Sequence, residues 1–370
     1  MKIGLIGAGR LGICFALLLE KAGYEVIVSD CRDDYVIGLN NRIINTNEPQ
    51  VAEMLDDAKN FNAVLSNVEV IKQCDIIYTL VATPSLPDGS YDISAVWKVI
   101  DDIQSCEFPL NGKSFIVGCT TNPGDCEMFQ TQLNAYGIDV YYNPEFIAQG
   151  SIIKDLQYAD MVLIGGEGQH LEVIKEIYSK IQITEPKVYT MSTTAAELVK
   201  LAVNCFLTTK ISYANMVGEV MTLAGLETEI KTVLEAIGAD TRVGNKYLKY
   251  GYGFGGPCLP RDNRSFAAYA KKLGLEYNLG MTTDDFNNEH ARFLTEYFTK
   301  KNERNLPFCF HYISYKEGTD ILTESQQYRL CLDLLDQGYK VYVVEDYVRS
   351  QCDDRIIFGI PCEEVFWIDL

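Results

Sequence analysis

The stretch that decides the fold is "KIGLIGAGRLGICFALLLEKAGYEVIVSD", Lys2 to Asp30. Ile3–Ile6 is a short apolar run that reads as a buried strand, and Gly7-Ala-Gly9-Arg-Leu-Gly12 follows it. Leu11–Ala22 then reads as a helix stopped by Gly23, and Val26–Ser29 as a second strand ending at Asp30. Each glycine has a mechanical task. Gly7 makes a tight turn, Gly9 lets the backbone approach a pyrophosphate, and Gly12 lets the helix pack against the sheet. The helix N-terminus then faces the phosphates. An acid at the end of the second strand binds ribose hydroxyls and repels a 2′-phosphate. The stretch therefore predicts a dinucleotide site that favours NAD over NADP. Arg32 leaves a second possibility, since a neighbouring arginine can accept that phosphate.

The alternation continues outward. Ile76–Val81, Phe115–Val117, Val140–Tyr142 and Met161–Ile164 read as further buried strands, which predicts a parallel sheet covered on both faces. At Thr194-Ala-Ala-Glu197 the pattern becomes that of a capping box, followed by a helix that could reach Ala224 and stop at Gly225. A second helix is expected over Glu227–Ile237, ending at Gly238. Near the C-terminus the chain resembles its own beginning. "LLEKAGYEVIVSD" (Leu18–Asp30) is matched by "LLDQGYKVYVVED" (Leu334–Asp346), with Phe308–Ser314 as a first strand. A second, smaller nucleotide-fold unit is expected there, without a glycine motif of its own. The fold class is α/β, a doubly wound sheet with a central long-helix region and a shortened C-terminal α/β domain. The expected domains are 1–191, 192–300 and 301–370, with a linker near Lys300–Pro307.

The 370 residues suit two or three domains, and 47% hydrophobic with 22% charged residues is an ordinary globular balance. A net charge of −19 argues against nucleic acid as a partner. No run is long enough to span a membrane, and no leader precedes Ile3, so a cytoplasmic protein is expected. Twelve scattered cysteines without a CxxC pair suit a reducing compartment. Three histidines, none near a second ligand, make a metal site unexpected.

Cys258 stands in "GYGFGGPCLPRDN" (Gly251–Asn263), a glycine- and proline-rich loop, beside Arg261. An exposed thiol near an arginine favours thiolate. A thiolate can trap an aldehyde as a thiohemiacetal and carry it on to a thioester. Lys200 and Asn204 share a helix face in an otherwise apolar stretch. Spacing alone leaves two readings open, a lysine snorkelling to solvent or a lysine with a task.

With these residues in hand, the sequence resembles the nucleotide-sugar dehydrogenases of the UDP-glucose/GDP-mannose dehydrogenase family. The resemblance runs through GxGxxG at Gly7, "VATPSLPDGSYD" at Val81, "CTTNPG" at Cys119 and "NPEFIAQGS" at Asn143. It continues through "AELVKLAVNCFLTTKIS" at Ala196, "GFGGPCLPRD" at Gly253 and "SYKEGTD" at Ser314. It implies a four-electron oxidation of a sugar C6 alcohol to the carboxylate with two NAD. By motif it implies Cys258 as nucleophile and Lys200 and Asn204 as stabilisers of the anionic oxygen. Asp262, Thr120 and Glu145 would handle water and protons. Gly7, Gly9, Arg10, Leu11, Gly12, Asp30, Thr83, Thr120 and Arg261 would meet NAD. Glu145, Phe146, Gln149, Lys200, Asn204, Tyr252, Gly253, Phe254, Gly255, Gly256 and Lys316 would meet the nucleotide sugar. The loop's backbone N–H groups would be bared by the missing side chains. Arg242 would reach a partner's site, which implies a homodimer built on the long helix.

Pro257 stands where N-acetylhexosamine enzymes of this family carry histidine, so the loop resembles the UDP-glucose or GDP-mannose branch, of which UDP-glucose is preferred. Three positions depart from the family pattern. Gln149 replaces a carboxylate, Thr323 replaces an arginine expected near NAD, and only 24 residues, ending in "EVFWIDL", follow Asp346. A weakly active, substrate-binding relative is therefore a competing expectation. A two-electron hydroxyacid-type dehydrogenase is another, and it would have no use for Cys258.

Overall fold

The computed structural model describes all 370 residues, in two compact units, Met1–Lys200 and Leu201–Leu370. The first unit begins β1 (Lys2–Ile6), α1 (Arg10–Lys21), β2 (Glu25–Ser29), α2 (Asp33–Asn40), α3 (Val51–Asp57), β3 (Phe61–Val64), α4 (Asn67–Gln73) and β4 (Ile76–Thr79). It goes on with α5 (Ser94–Gln104), β5 (Ser114–Val117), α6 (Asp125–Leu133), β6 (Asp139–Tyr142), α7 (Ile152–Gln157), β7 (Met161–Gly165), α8 (Leu171–Ile181) and β8 (Lys187–Met191). The strands form one sheet in the order β3-β2-β1-β4-β5-β6-β7-β8. Ile3, Leu5, Val26 and Val28 face one apolar layer with α1 and α8. Ile6, Ile27, Ile77 and Phe115 face the other with α4, α5 and α6. Strands buried on both faces have no polar side to display, which is why they read as unbroken apolar runs. The strand order reverses between β1 and β4, the place where open α/β sheets bind ligands.

The sheet differs from the expected all-parallel form at one point. β7 meets β6 antiparallel, and β8 then runs parallel to β7. A parallel crossover must carry the chain back along the strand. The six residues of α7 span about 9 Å at 1.5 Å per residue, against about 17 Å for a five-residue strand. β3 and β8 escape a sequence reading for different reasons. β3 alternates buried and exposed positions, and β8 is an almost fully exposed edge.

The unit boundary falls inside α9 (Thr193–Leu223). The expected capping box does not form there. Ser192 Oγ accepts from the Ala195 N–H at 3.3 Å, Thr194 Oγ1 donates to Glu127, and the Glu197 carboxylate is engaged elsewhere. Gly218 sits within this helix because the Tyr250 ring lies on it, where a methyl group would overlap the ring. The second unit continues with α10 (Ile230–Ala239), α11 (Leu259–Lys272), α12 (Leu279–Lys301), β9 (Phe308–Phe310), α13 (Gln326–Asp336), β10 (Val341–Val343), β11 (Ile357–Phe358) and β12 (Phe366–Trp367). α10 runs one residue past the expected stop at Gly238.

The four short strands form a parallel sheet in the order β11-β10-β9-β12. The sequence echo is a structural one. Gly23 and Gly338 both turn the chain out of a helix with φ of 92° and 89°, and β2 and β10 follow. The apolar tail "EVFWIDL" supplies β12, with Ile368 buried against the same core as Leu330 and Val341. No helix is long and apolar enough to cross a membrane.

Candidate active site

In the first unit the three motif glycines stand as their spacing requires. Gly7 has φ of 98°, and a methyl group there would lie 2.8 Å from the Leu80 carbonyl oxygen. A methyl group at Gly12 would overlap the Gly7 carbonyl oxygen, while one at Gly9 would meet nothing within 4 Å. The turn is thus closed on its inner side and open at Gly9. No side chain caps the N-terminus of α1 and no acid lies in its first turn. This cradle fits a dinucleotide pyrophosphate. Arg32 does not stand ready for a 2′-phosphate. Its Nε and Nη2 donate to the two Asp30 oxygens at 2.8 and 2.9 Å, and its guanidinium lies 4.0 Å over the Tyr35 ring. Burial pushes Asp30 up, but the Arg32 hydrogen bonds outweigh it and the carboxylate is held below its ordinary range. Tyr35 in turn donates to the Ala8 carbonyl within the glycine turn.

The Thr120 loop after β5 is tied down from two sides. Buried Thr83 donates to the Thr120 carbonyl at 2.7 Å. The fully buried Glu197 of α9 accepts from Thr121 Oγ1, the Gly124 N–H and the Cys126 N–H at 2.8, 2.7 and 3.0 Å. It therefore caps α6 from a distant element. Burial pushes its carboxyl up to about 7 despite these donors.

The loop of residues 143–152 is held as firmly. Glu48 accepts from the N–H groups of Gly150 and Ile152 at 2.9 and 2.6 Å. Asp155 accepts from the Ala148 N–H and Ser151 Oγ at 2.8 and 2.9 Å. Within the loop, Glu145 accepts from Tyr178, whose oxygen also lies 2.8 Å from Asn143 Oδ1. Burial pushes Glu145 up to about 7, against the downward pull of Tyr178 and then Lys200. Lys200 does not snorkel. It is buried, donates to the Glu145 carbonyl at 2.8 Å and lies 4.6 Å from the centre of the Phe146 ring. Gln149 accepts from Arg10 of the glycine turn at 3.2 Å.

In the second unit Cys258 stands at the N-cap of α11, where helical N–H groups favour an anion. Its carbonyl accepts from the Asp262 N–H at 2.9 Å, which places Asp262 one turn on. Asp262 is fully buried, and its two oxygens accept from Asn204 Nδ2 at 2.6 Å and Arg261 Nε at 3.2 Å. Cys258, Arg261, Asp262 and Asn204 are thus brought together. Thr208, one turn past Asn204, fixes Asn263 at 2.9 Å and locks α11 to α9.

The glycine loop differs from expectation in why it is glycine. A methyl group at Gly253 would overlap Asn287 Oδ1, one at Gly255 the Glu324 carbonyl oxygen, and one at Gly256 the Tyr315 ring. The missing side chains make room for protein neighbours. Several backbone groups are also engaged. The Gly251 N–H donates to Asn215, and Asn215 donates to the Tyr252 carbonyl. Asn287 accepts from the Phe254 N–H and donates to the Phe254 carbonyl. Phe254 itself is buried. Lys316 is exposed beside Tyr315. Arg242 lies on the loop after α10, paired with Asp240 at 2.7 Å and apart from this group.

Sequence reasoning missed Glu48, Tyr178, Asn215, Asn287 and His290, and it misread Glu197 as a local cap. Their partners lie 33 or more residues away, beyond any motif window.

In the first unit a glycine turn that fits a dinucleotide is followed by Asp30 at the end of β2, and in the second unit a cysteine stands at a helix N-terminus beside a buried carboxylate, the elements expected of a NAD-dependent dehydrogenase. The model of the NAD-binding domain of the UDP-glucose/GDP-mannose dehydrogenase family matches residues 1–182, and that of its central domain residues 194–289. The chain belongs to this family. UDP-glucose 6-dehydrogenase of Rickettsia prowazekii is 30% identical over 357 residues, 93% of this chain and 80% of that one. A putative UDP-glucose 6-dehydrogenase, YtcA of Bacillus subtilis, is 29% identical over 93% of this chain and 81% of its own. The structure of a UDP-glucose dehydrogenase from Pyrobaculum islandicum superposes with a TM-score of 0.87 at 26% identity, covering 97% of this chain and 86% of that one.

Proposed function

We propose that the chain oxidises the C6 alcohol of a nucleotide sugar, UDP-glucose in the first instance, to the carboxylate in four electrons. The observation that carries this is the Cys258–Asp262–Asn204 group, a thiol at a helix N-terminus one turn from a buried, doubly hydrogen-bonded carboxylate. NAD, when bound, supplies the hydride acceptor for both oxidations. At the aldehyde level the Cys258 sulfur bonds to C6, and the former carbonyl oxygen takes up a proton, giving a thiohemiacetal. Removal of hydride from that carbon, with loss of the hydroxyl proton, gives the thioester. Water then adds to C6, the C–S bond breaks, and sulfur leaves as thiolate. Asn204 and Lys200 would stabilise the oxygen while it is anionic. Glu145, with Thr120, would take the proton of the attacking water. Gln149 has no basic oxygen and would only orient.

The relatives named for UDP-glucose support that sugar, and Pro257 in place of a histidine argues against an N-acetylhexosamine. A homodimer fits the surface of α9. Phe206, Tyr213, Met216, Val220 and Leu223 recur at steps of seven, three, four and three along one exposed helix, the seam of a helix that packs on a second copy. Arg242 is exposed for delivery to that copy. The test is the NADH yield per nucleotide sugar consumed. Two per sugar is expected, with UDP-glucose turned over in preference to GDP-mannose. One per sugar overturns the four-electron reaction. Preference for GDP-mannose overturns the sugar alone.

A further inference from the structure

His290 of α12 has no place in this chemistry, yet it is fully buried and polar on both edges. Its ring stacks with Phe286 and Phe293 at 6.1 and 6.5 Å and meets Tyr250 edge-on at 6.0 Å. Nδ1 lies 2.6 Å from the Glu219 carboxylate of α9, and Nε2 lies 2.7 Å from the Gly251 carbonyl oxygen. A carbonyl oxygen can only accept, so Nε2 must carry hydrogen. With Glu219 as an ionised carboxylate, which can only accept, Nδ1 carries hydrogen as well. A ring that donates on both edges is an imidazolium. The titratable groups facing it are Glu219 from α9 and Tyr250 from the loop, with Tyr297 and Glu227 next in reach of Tyr250; Phe286 and Phe293, on its own helix, offer only rings.

The position of Gly251 gives the pair its meaning. It opens the loop that leads to Cys258, and three side chains clasp that loop's backbone. Asn215 and Asn287 are neutral amides, whereas His290 can lose a proton. We propose that His290 is a positioning residue, an imidazolium paired with Glu219 that holds the glycine loop through the Gly251 carbonyl, so that substrate affinity falls once the ring is deprotonated. The kinetic consequence rests on the reading that this loop holds the nucleotide sugar; the protonation state does not.

Two measurements on the full chain test the proposal separately. The protein has three histidines, so 15N NMR of the imidazoles resolves each, and the signal lost in His290→Gln identifies this one. At neutral pH both of its nitrogens should be protonated. One protonated and one bare nitrogen, with the proton on Glu219 instead, would overturn the proposal whatever the substrate proves to be. The second measurement is KM for UDP-glucose against pH. In the native protein KM should rise on the alkaline side. His290→Gln places an amide oxygen against the Glu219 carboxylate. It should raise KM about tenfold, the worth of one hydrogen bond to a charged group, and abolish the alkaline limb. Adding Glu219→Gln lets the amide at 219 donate to the amide oxygen of His290→Gln, whose N–H donates to the Gly251 carbonyl. The double variant should recover KM to within about twofold, flat in pH. An alkaline limb that survives in His290→Gln, or a double variant no better than the single, would sink the idea.

Discussion

Tyr178→Phe should move the acid limb of the activity profile. The Tyr178 phenol has one hydrogen but faces two acceptors, Glu145 Oε1 and Asn143 Oδ1. When Glu145 is protonated, every partner is satisfied. The carboxyl donates to Tyr178, the phenol donates to Asn143, and Asn143 Nδ2 donates to the Leu163 carbonyl at 2.9 Å. When Glu145 ionises, the phenol must turn to it, and Asn143 Oδ1 loses a donor. Burial pushes Glu145 up to about 7, with Tyr178 the largest force holding it down. A hydrogen bond to a charged group contributes about 1.5–3 kcal/mol against about 0.5–1.5 for the neutral carboxyl, and the difference is worth about 1 pH unit. If Glu145 is the base for thioester hydrolysis, the native enzyme loses kcat as pH falls through about 7. In Tyr178→Phe that limb should lie about 1 unit higher, so that kcat near neutrality drops about fivefold. Steady-state kcat from pH 5.5 to 9.5 reads both (roughly the span one mixed buffer covers). An acid limb with the same midpoint in both proteins would refute Tyr178 as the group that tunes Glu145.

Glu197 also has a folded-state pKa raised above its unfolded value, so its proton is held more tightly in the folded chain. Stability should fall as pH rises from about 4.5 to about 7, by about 3 kcal/mol from this group. Urea midpoints for Glu197→Gln should lose that part of the pH dependence and lie lower overall, because the amide NH2 that replaces one of the two accepting oxygens cannot accept from the N–H group it faces; an unchanged dependence would count against the assignment. Gly256→Ala forces a methyl group into the Tyr315 ring at φ of 81° and should cost about 1–3 kcal/mol by thermal unfolding, with a raised KM for the sugar nucleotide. Wild-type stability in that variant would show that the loop does not pack as described. Phe206→Glu combined with Val220→Glu puts charge on the exposed seam of α9 and should give monomers in sedimentation, whereas dimers of native strength would place the interface elsewhere.

What could be read from the sequence was what the chain decides within a few residues. Gly12 is glycine because of Gly7, five residues earlier, and Arg32 forks onto Asp30, two residues away. Gly23 and Gly338 end their helices by their own dihedral freedom. The reversal of β7 was hidden because strand direction depends on how far α7 can carry the chain, which apolar periodicity does not record.

The two glycine-rich stretches show where local reading stops. The spacing of Gly7–Gly12 explains Gly12 by the Gly7 carbonyl oxygen and Gly7 by its φ of 98°, although the atoms nearest Gly7 belong to Leu80 and Val81, just past β4. Gly253, Gly255 and Gly256 look equally like a phosphate cradle, yet their neighbours are Asn287, Glu324 and Tyr315, residues that reach the loop only after the C-terminal fold is built. Those glycines therefore have a packing reason whether or not a ligand binds. The packing also fixes the position of the loop. It presses residues 253–256 onto the C-terminal segment while Asn215, Asn287 and His290 fix the backbone before Cys258. Three buried clasps hold the loop before Cys258 in one conformation. A loop that must present a thiol at a fixed angle would lose activity with any one of them. Glu219 and His290 lie 71 residues apart in sequence, so the charged member of that set became visible only when the fold brought them together.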